Sequence, residues 1–407
     1  MVVRLFAPSP LRRWSLRRWS LVVGRWASGF VVVAAAVAVA VTALAAPAGA
    51  QEGWTVWVAP MYGALSGADL HILDEVLETV TTEGQNLTYS AQITPRWFRP
   101  GPTLVPRLGA SVGISSRLSV AAEGLFLGWH DSATRRFEAP ADTATTDYAN
   151  SVFLWEGNWR LPDQRAFGLI NVTHPSGWSP IDWHADGAIQ LASGTLGARA
   201  LLFNGGNLQV AAEGGVAVFH LDHRFDRRWA GVAESPVDAN DNGRIDPEPS
   251  PDYYLRNNVS LDQTASSTGT ALGPSMGLRL QGRLGGTYVE ASASQGWASG
   301  QFALASRFVD IDDQWFDDNQ DGTFDRNVVL HGDVPFRQQV PATIPVTQLH
   351  GTLRYPLGPV SVGAGVFYSL HRNVPVSPEL SYRDYTFKPR TQDISISGAM
   401  AFVQASF

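Results

Sequence analysis

The sequence predicts an all-β chain: an antiparallel, up-and-down β-barrel of about twelve strands, with ten or fourteen as the alternatives. Three observations predict it. A hairpin repeats, apolar and polar residues alternate with a period of two, and the connections are short on one side and long on the other.

The repeat comes first. Leu118-Ser-Val-Ala-Ala-Glu-Gly124 recurs as Leu208-Gln-Val-Ala-Ala-Glu-Gly214. Each copy follows a short turn, at Ser115-Ser116 and at Asn204-Gly-Gly-Asn207, and each turn follows another alternating segment. Met276–Leu284 and Tyr288–Trp297 flank Gly285-Gly286, and Leu349–Tyr355 and Val360–Leu370 flank Pro356-Leu-Gly-Pro359. Gly-, Asn- and Pro-rich turns between alternating runs are hairpin signals.

The faces follow from the period. Met276, Leu278 and Leu280 fall opposite Arg279, Gln281 and Arg283. Val360, Val362, Ala364, Val366 and Tyr368 oppose Ser361, Gly363, Gly365 and Ser369, and Leu118, Val120, Ala122 and Phe126 oppose Arg117, Ser119 and Glu123. Trp54–Tyr62 reads as a first strand and Asp393–Phe407 as the last. Ser151–Arg160 and Ala166–Thr173 read as a fifth hairpin. Asn86–Trp97 also alternates, either as its own strand or as the extension of one. Asp69–Val80, with Leu70, Leu73, Leu77 and Val80 on one side, reads as a short amphipathic helix. The turns within hairpins have two to four residues, whereas long loops are expected at about 64–100, 130–147, 224–270, 303–343 and 373–391.

Residues 1–50 contain six arginines and no acid, then an apolar run from Phe30 to Val41, then Ala46-Pro-Ala-Gly-Ala50. This is the layout of a secretory signal peptide, leaving a mature barrel over 51–407. Without those arginines, 24 basic residues face 37 acids, a charge of about −13, which argues against nucleic acid as a partner. There is no cysteine, so disulfides and thiol chemistry are excluded. Past Gln51 no run approaches the ~18–20 apolar residues of a membrane helix. A spanning structure would then have to be a closed ring, because every backbone group must be paired inside lipid.

A signal-like start, a terminal aromatic at Phe407 and an alternating last segment together resemble the Gram-negative outer-membrane β-barrel proteins, a porin-like superfamily. The resemblance covers roughly the whole mature chain and singles out no subfamily. It implies short periplasmic turns, long extracellular loops, outer-membrane lipid around the wall, and Phe407 as part of the signal read by the barrel assembly machinery.

Two acidic segments fit D-x-N-x-[DN]-G-x-x-D. They are similar to the loops of EF-hand, dockerin and thrombospondin-type calcium repeats. That likeness implies structural Ca²⁺ ligands at Asp238, Asn240, Asn242 and Asp246, and at Asp317, Asn319, Asp321 and Asp325. Pro249 and Val328 stand where an EF-hand has its bidentate Glu. Asp182, His184 and Asp186 share a strand face, and counting from an Asn204–Asn207 pair brings Asp186 near Phe225, within diagonal reach of His223 or Arg227. A cross-strand charge ladder explains such a cluster without chemistry. No Ser-centred elbow or H-E-x-x-H pattern occurs, so no enzyme is expected.

Alternation places Arg107, Arg117, Glu123, Arg199, Glu213, Arg279, Arg283, Glu290 and Arg354 on the lumen side. Such groups either line a water-filled channel or lock together and fill it. The first arrangement makes a porin-like channel passing small solutes. The second makes a non-conducting barrel with a structural or surface-interaction role. Oligomeric state is not legible.

Overall fold

The computed structural model describes residues 53–67, 70–83, 86–137, 148–155, 169–170, 181–237, 253–319, 322–381 and 386–407. No helix occurs among them. The strands are β1 (Trp54–Ser66), β2 (Leu70–Glu83), β3 (Asn86–Phe98), β4 (Thr103–Ser115), β5 (Leu118–Phe137), β6 (Tyr148–Trp155) and β7 (Leu169–Ile170). They continue as β8 (Ile181–Gly205), β9 (Leu208–Val237), β10 (Tyr253–Leu284), β11 (Thr287–Asp317), β12 (Arg326–Leu357), β13 (Val360–Ser381) and β14 (Thr386–Ser406).

Ten of them close a barrel in the order β1-β14-β13-β12-β11-β10-β9-β8-β5-β4, every pair antiparallel. This is the lower of the alternatives left open by the sequence. The strands between β1 and β4 and between β5 and β8 leave the ring and form a separate sheet, β3-β2-β6-β7. The expected fifth hairpin therefore exists only as the β6–β7 pair, through Val152↔Ile170 and Phe153↔Leu169, and adds nothing to the wall. The segment expected as a helix is strand β2, paired with both β3 and β6. Its spacing fits a helical stripe, yet Ile72, Val76, Thr79, Val80, Thr81 and Thr82 are β-branched and partners lie on both sides.

The hairpin turns are two residues long: Ser116-Arg117, Gly206-Asn207, Gly285-Gly286 and Gly358-Pro359. Gly206, Gly285 and Gly358 take φ of 53°, 61° and 68°, the left-handed conformation that tight hairpins require. The start of β1 and the end of β14 lie on this short-turn rim. Ser406 N–H donates to the Pro359 carbonyl at 2.9 Å, and Phe407 pairs with Trp54.

On the opposite side the outcome differs from the expectation. Most of the segments expected as loops are continuations of the strands. β9, β10, β11 and β12 have 30 to 32 residues. About 9–11 tilted residues cross a bilayer. At roughly 3.3 Å per residue these strands run on the order of 100 Å, so most of each projects beyond the lipid. Asp, Asn, Ser and Pro read as loop formers, but here they sit on a ladder wet on its outer face.

The outer wall shows where the lipid ends. Val56, Val58, Leu196, Val216, Val218, Leu272, Met276, Leu278, Leu280, Leu353, Val362, Val366 and Val403 are exposed on it. Tyr62, Trp297 and Tyr368 stand at its upper edge and Phe203, Tyr355 and Phe407 at the turn rim, as two aromatic girdles. Above the upper girdle the outward residues turn polar, as at His220, Asp222 and Arg224 on β9.

Candidate functional site: the charged belt and vestibule inside the ring

The inward faces of seven neighbouring strands carry charges of alternating sign. β4 brings Arg107, β5 Glu123, β8 Arg199, β9 Glu213, β10 Arg279, β11 Glu290 and β12 Arg354. Each sits about one dozen residues or fewer from its short turn, so all fall at one level. Small inward residues such as Gly197, Gly215 and Gly277 beside them leave room for the long side chains.

The belt is continuous. Arg107 reaches Glu123 at 3.4 Å. Arg199 lies 3.8 Å from Glu123 and donates to Glu213 at 2.6 Å. Arg279 meets three carboxylates, Glu213 at 2.8 Å, Glu290 at 2.6 Å and Glu123 at 3.6 Å. Arg354 closes on Glu290 at 2.5 Å. His350 adds contacts to Glu290 at 3.1 Å and Arg107 at 3.2 Å. Aromatic rings cover the open faces of the guanidiniums. Arg107 lies 4.9 Å from the Trp57 ring and 4.7 Å from Phe367, and Arg354 lies 5.5 Å from Phe402. Trp57 and Phe402 stack at 5.7 Å.

Above the belt the inner face becomes largely apolar, with Ser193, Gln348 and His371 buried among the apolar side chains. Met61, Leu127, Ile189, Leu191, Phe219, Leu221, Phe302, Ile344 and Ile394 meet there with no exposure to water. Higher still the buried interior mixes apolar side chains such as Phe225, Phe308 and Val376 with polar ones. The His223 imidazole contacts the Ser377 hydroxyl at 2.7 Å and accepts the Ser377 N–H at 3.1 Å, while Arg227 bonds to Gln263. Burial pushes His223 down to about 3, with Arg390 adding to the effect, and burial lowers Arg227 to about 9.

Below the belt a cavity of about 310 Å³ opens at the short-turn rim, with Ser115, Ser116 and Arg117 at its mouth. Arg283 stays at the rim, where Nε donates to the Gly285 carbonyl at 3.2 Å. The lumen-side residues expected from alternation are thus brought together, except for Arg117 and Arg283 at the mouth. His350, Thr352 and Gln404 belong to the same site and escaped the sequence reading. Period-two counting back from Arg354 reaches Thr352 and His350, so a signal for those two was present.

The Asp182-to-Asp186 cluster lies elsewhere. Asp186 is on the outer wall, with His184 Nε2 at 2.8 Å and His130 Nε2 at 3.8 Å. It pairs with Asp226, not Phe225, and His223 and Arg227 point inward. The β8–β9 turn falls on Gly206-Asn207, and a bulge between Leu201 and Phe203 shifts the register. One residue of slip exchanges the faces of a strand.

Of the two acidic segments, Asp238, Asn240, Asn242 and Asp246 lie outside the described residues, as does Asp321. In the other turn Gly322 has φ of 86° and its N–H donates to Asp317 at 2.8 Å. Asp325 accepts the Asp318 N–H at 3.0 Å, and Arg326 pairs with Asp318 at 2.8 Å. Asn319 has partners of its own. No group of three or more metal-ligating acid or histidine side chains is assembled among the described residues.

A closed antiparallel ring with an apolar outer band, aromatic girdles, and the start of β1 and end of β14 on the short-turn rim is the architecture of a membrane-spanning β-barrel. No protein-family model matches the chain, and no curated protein does. Among solved structures it is similar to the outer membrane protease OmpT from Escherichia coli, at 11% identity over 89% of this chain and 99% of that one, with a TM-score of 0.37. It is also similar to the toluene transporter TodX from P. putida, at 9% identity over 88% and 90%, with a TM-score of 0.24. At these scores neither likeness bears on activity.

Proposed function

We propose that this is a non-conducting outer-membrane barrel with a structural or surface-interaction role, presenting its tall strand extensions outside the cell. What supports this reading above all is the filled interior. The belt ties seven strands together across the lumen, and the apolar layer above it is sealed from water at Phe219, Phe302 and Leu191. Passive passage of small solutes would need a wet path through both layers. A ten-stranded ring lies close to the eight-stranded barrels whose interior side chains fill the space. The reading gives the protein no catalytic activity.

The test is planar-bilayer recording of the protein purified from the outer membranes of an expression host. Silence is expected at every voltage. Reproducible single-channel steps would overturn the reading and favour passive passage.

We also propose that the 317–325 turn takes a structural calcium ion, and that 238–246 does the same. What supports this is the position of Gly322, the sixth residue from Asp317, in the left-handed conformation such loops need. Asp317 and Asp325 each accept a backbone N–H on a carboxylate oxygen, so both acids already face into the turn. When bound, the ion would offset the crowding of carboxylates on the turn.

A further inference from the structure

The cavity beneath the belt has more hydrogen-bond donors than acceptors. Glu123 is engaged by Arg107, Arg199 and Arg279, and Glu290 by Arg279, Arg354 and His350. Glu213 is held by Arg199 and Arg279. Counting Arg117 at the mouth, five arginines stand against three glutamates, two positive charges in excess. The Arg117 guanidinium has no acidic partner among the described residues. At the floor, Thr352 and Arg354 are more than nine-tenths buried, and Thr352 Oγ1 and Arg354 Nε have no hydrogen-bond partner. All three residues line the one cavity. Buried donors without acceptors are costly, and an excess of arginine around a polar recess calls for a ligand that only accepts.

We propose that this vestibule is a binding site for a small oxyanion of the phosphate class, entering from the periplasmic side. Arg117 meets the anion at the mouth. Arg354 and Thr352 receive it at the floor, and serine hydroxyls such as Ser115 complete the shell. The belt closes the inner end, so the ligand is held and not passed on. This goes beyond a structural role, and it survives or fails separately from the bilayer recording. A silent barrel can bind phosphate, and a silent barrel can fail to.

The probe is inorganic phosphate, titrated calorimetrically into the intact protein purified in detergent, with chloride holding the ionic strength constant. Saturable binding with one site per chain is expected. Arg117→Gln should weaken it about tenfold, the size of one lost charge-assisted hydrogen bond. Arg117 is exposed at the rim, so this variant should fold. Thr352→Val keeps the shape of the floor and should also weaken binding. Arg228→Gln, on the outer wall, should leave it unchanged. Absence of saturable binding would overturn the proposal. So would binding that neither Arg117→Gln nor Thr352→Val alters, since phosphate would then sit elsewhere.

Discussion

Arg279 on β10 and Glu290 on β11 meet at 2.6 Å inside the ring, and the same guanidinium holds Glu213 of β9 at 2.8 Å. One side chain thereby ties three consecutive strands. Removing one partner of a buried pair leaves an uncompensated charge, which costs on the order of 3–5 kcal/mol. Glu290→Gln should therefore lower stability strongly, because it takes from Arg354 its carboxylate and from Arg279 one of three. Arg228 and Asp262 form an exposed pair on the outer wall at 3.3 Å, and such pairs contribute at most about 1 kcal/mol. Urea unfolding in detergent compares Glu290→Gln with Arg228→Gln. Equal midpoints would mean the belt adds little to the barrel.

Much of the wall was legible because lipid and lumen impose opposite demands on neighbouring residues. Met276, Leu278 and Leu280 do face outward, and Arg279 does face in. The state of the lumen was not legible. Leu125, Leu127, Ile189, Leu191, Phe219 and Leu221 face inward and are as apolar as the lipid side, so alternation fades above the belt. Period two gives a residue its face but does not say what that face meets across the ring. The projecting strands were also hidden. Thr264, Ser266, Thr268 and Thr270 on β10 look like loop, because the outer face there touches water and not lipid. The β8 bulge was invisible for a different reason: it depends on which two residues make the turn, and Asn204-Gly-Gly-Asn207 offers more than one choice.

Acid should loosen the upper barrel through His223. The ring is buried against Ser377, near Arg390, and held neutral down to about 3, far below its ordinary value of 6.5. Between these values the unfolded chain binds a proton that the folded chain refuses. Stability from this group is therefore level above about pH 6.5 and falls as the pH drops toward 3. At about 1.4 kcal/mol per pH unit, the loss between pH 7 and pH 4.5 is roughly 2–3 kcal/mol. His223→Gln removes the titration and should flatten that part of the profile. Unfolding midpoints measured at both pH values check this. An unchanged slope in the variant would assign the acid sensitivity to other groups.

Trp57 lies across Gly109, its register partner on β4. A Cβ at residue 109 would come within 2.5 Å of the indole ring. Gly109→Ala should push the ring from its stack on Phe402 and from the Arg107 guanidinium. Because Trp57 borders the vestibule, tryptophan emission should change and become more accessible to iodide quenching. Gly206→Ala is the contrast. It strains a turn at φ of 53° but touches nothing within 4 Å, so it should cost about 1 kcal/mol and leave the emission alone. Identical spectra for Gly109→Ala and the parent would show that the ring has another place to lie.

The last prediction concerns calcium and the acidic turns. Carboxylates crowded on one turn repel one another unless hydrogen bonds or a cation offset them. In the 317–325 turn, N–H groups of Gly322 and Asp318 already hold Asp317 and Asp325, and Arg326 holds Asp318. Arg326 also lies 3.8 Å over the Phe316 ring. The turn thus has a framework of its own, and the ion would tighten it instead of creating it. Calcium should slow protease cleavage within 317–325 and 238–246 by a modest factor. The belt and the apolar layer lie toward the short-turn rim, far along the strands from Val237 and Asp317, so the heat stability of the barrel should not move. Asp321→Ala and Asp238→Ala should each abolish the protection of their own turn only. Limited proteolysis of the purified protein with Ca²⁺ or with chelator, followed by mapping of the cleavage sites, separates the outcomes. The same cleavage rate in every condition would leave both segments as ordinary polar turns without an ion.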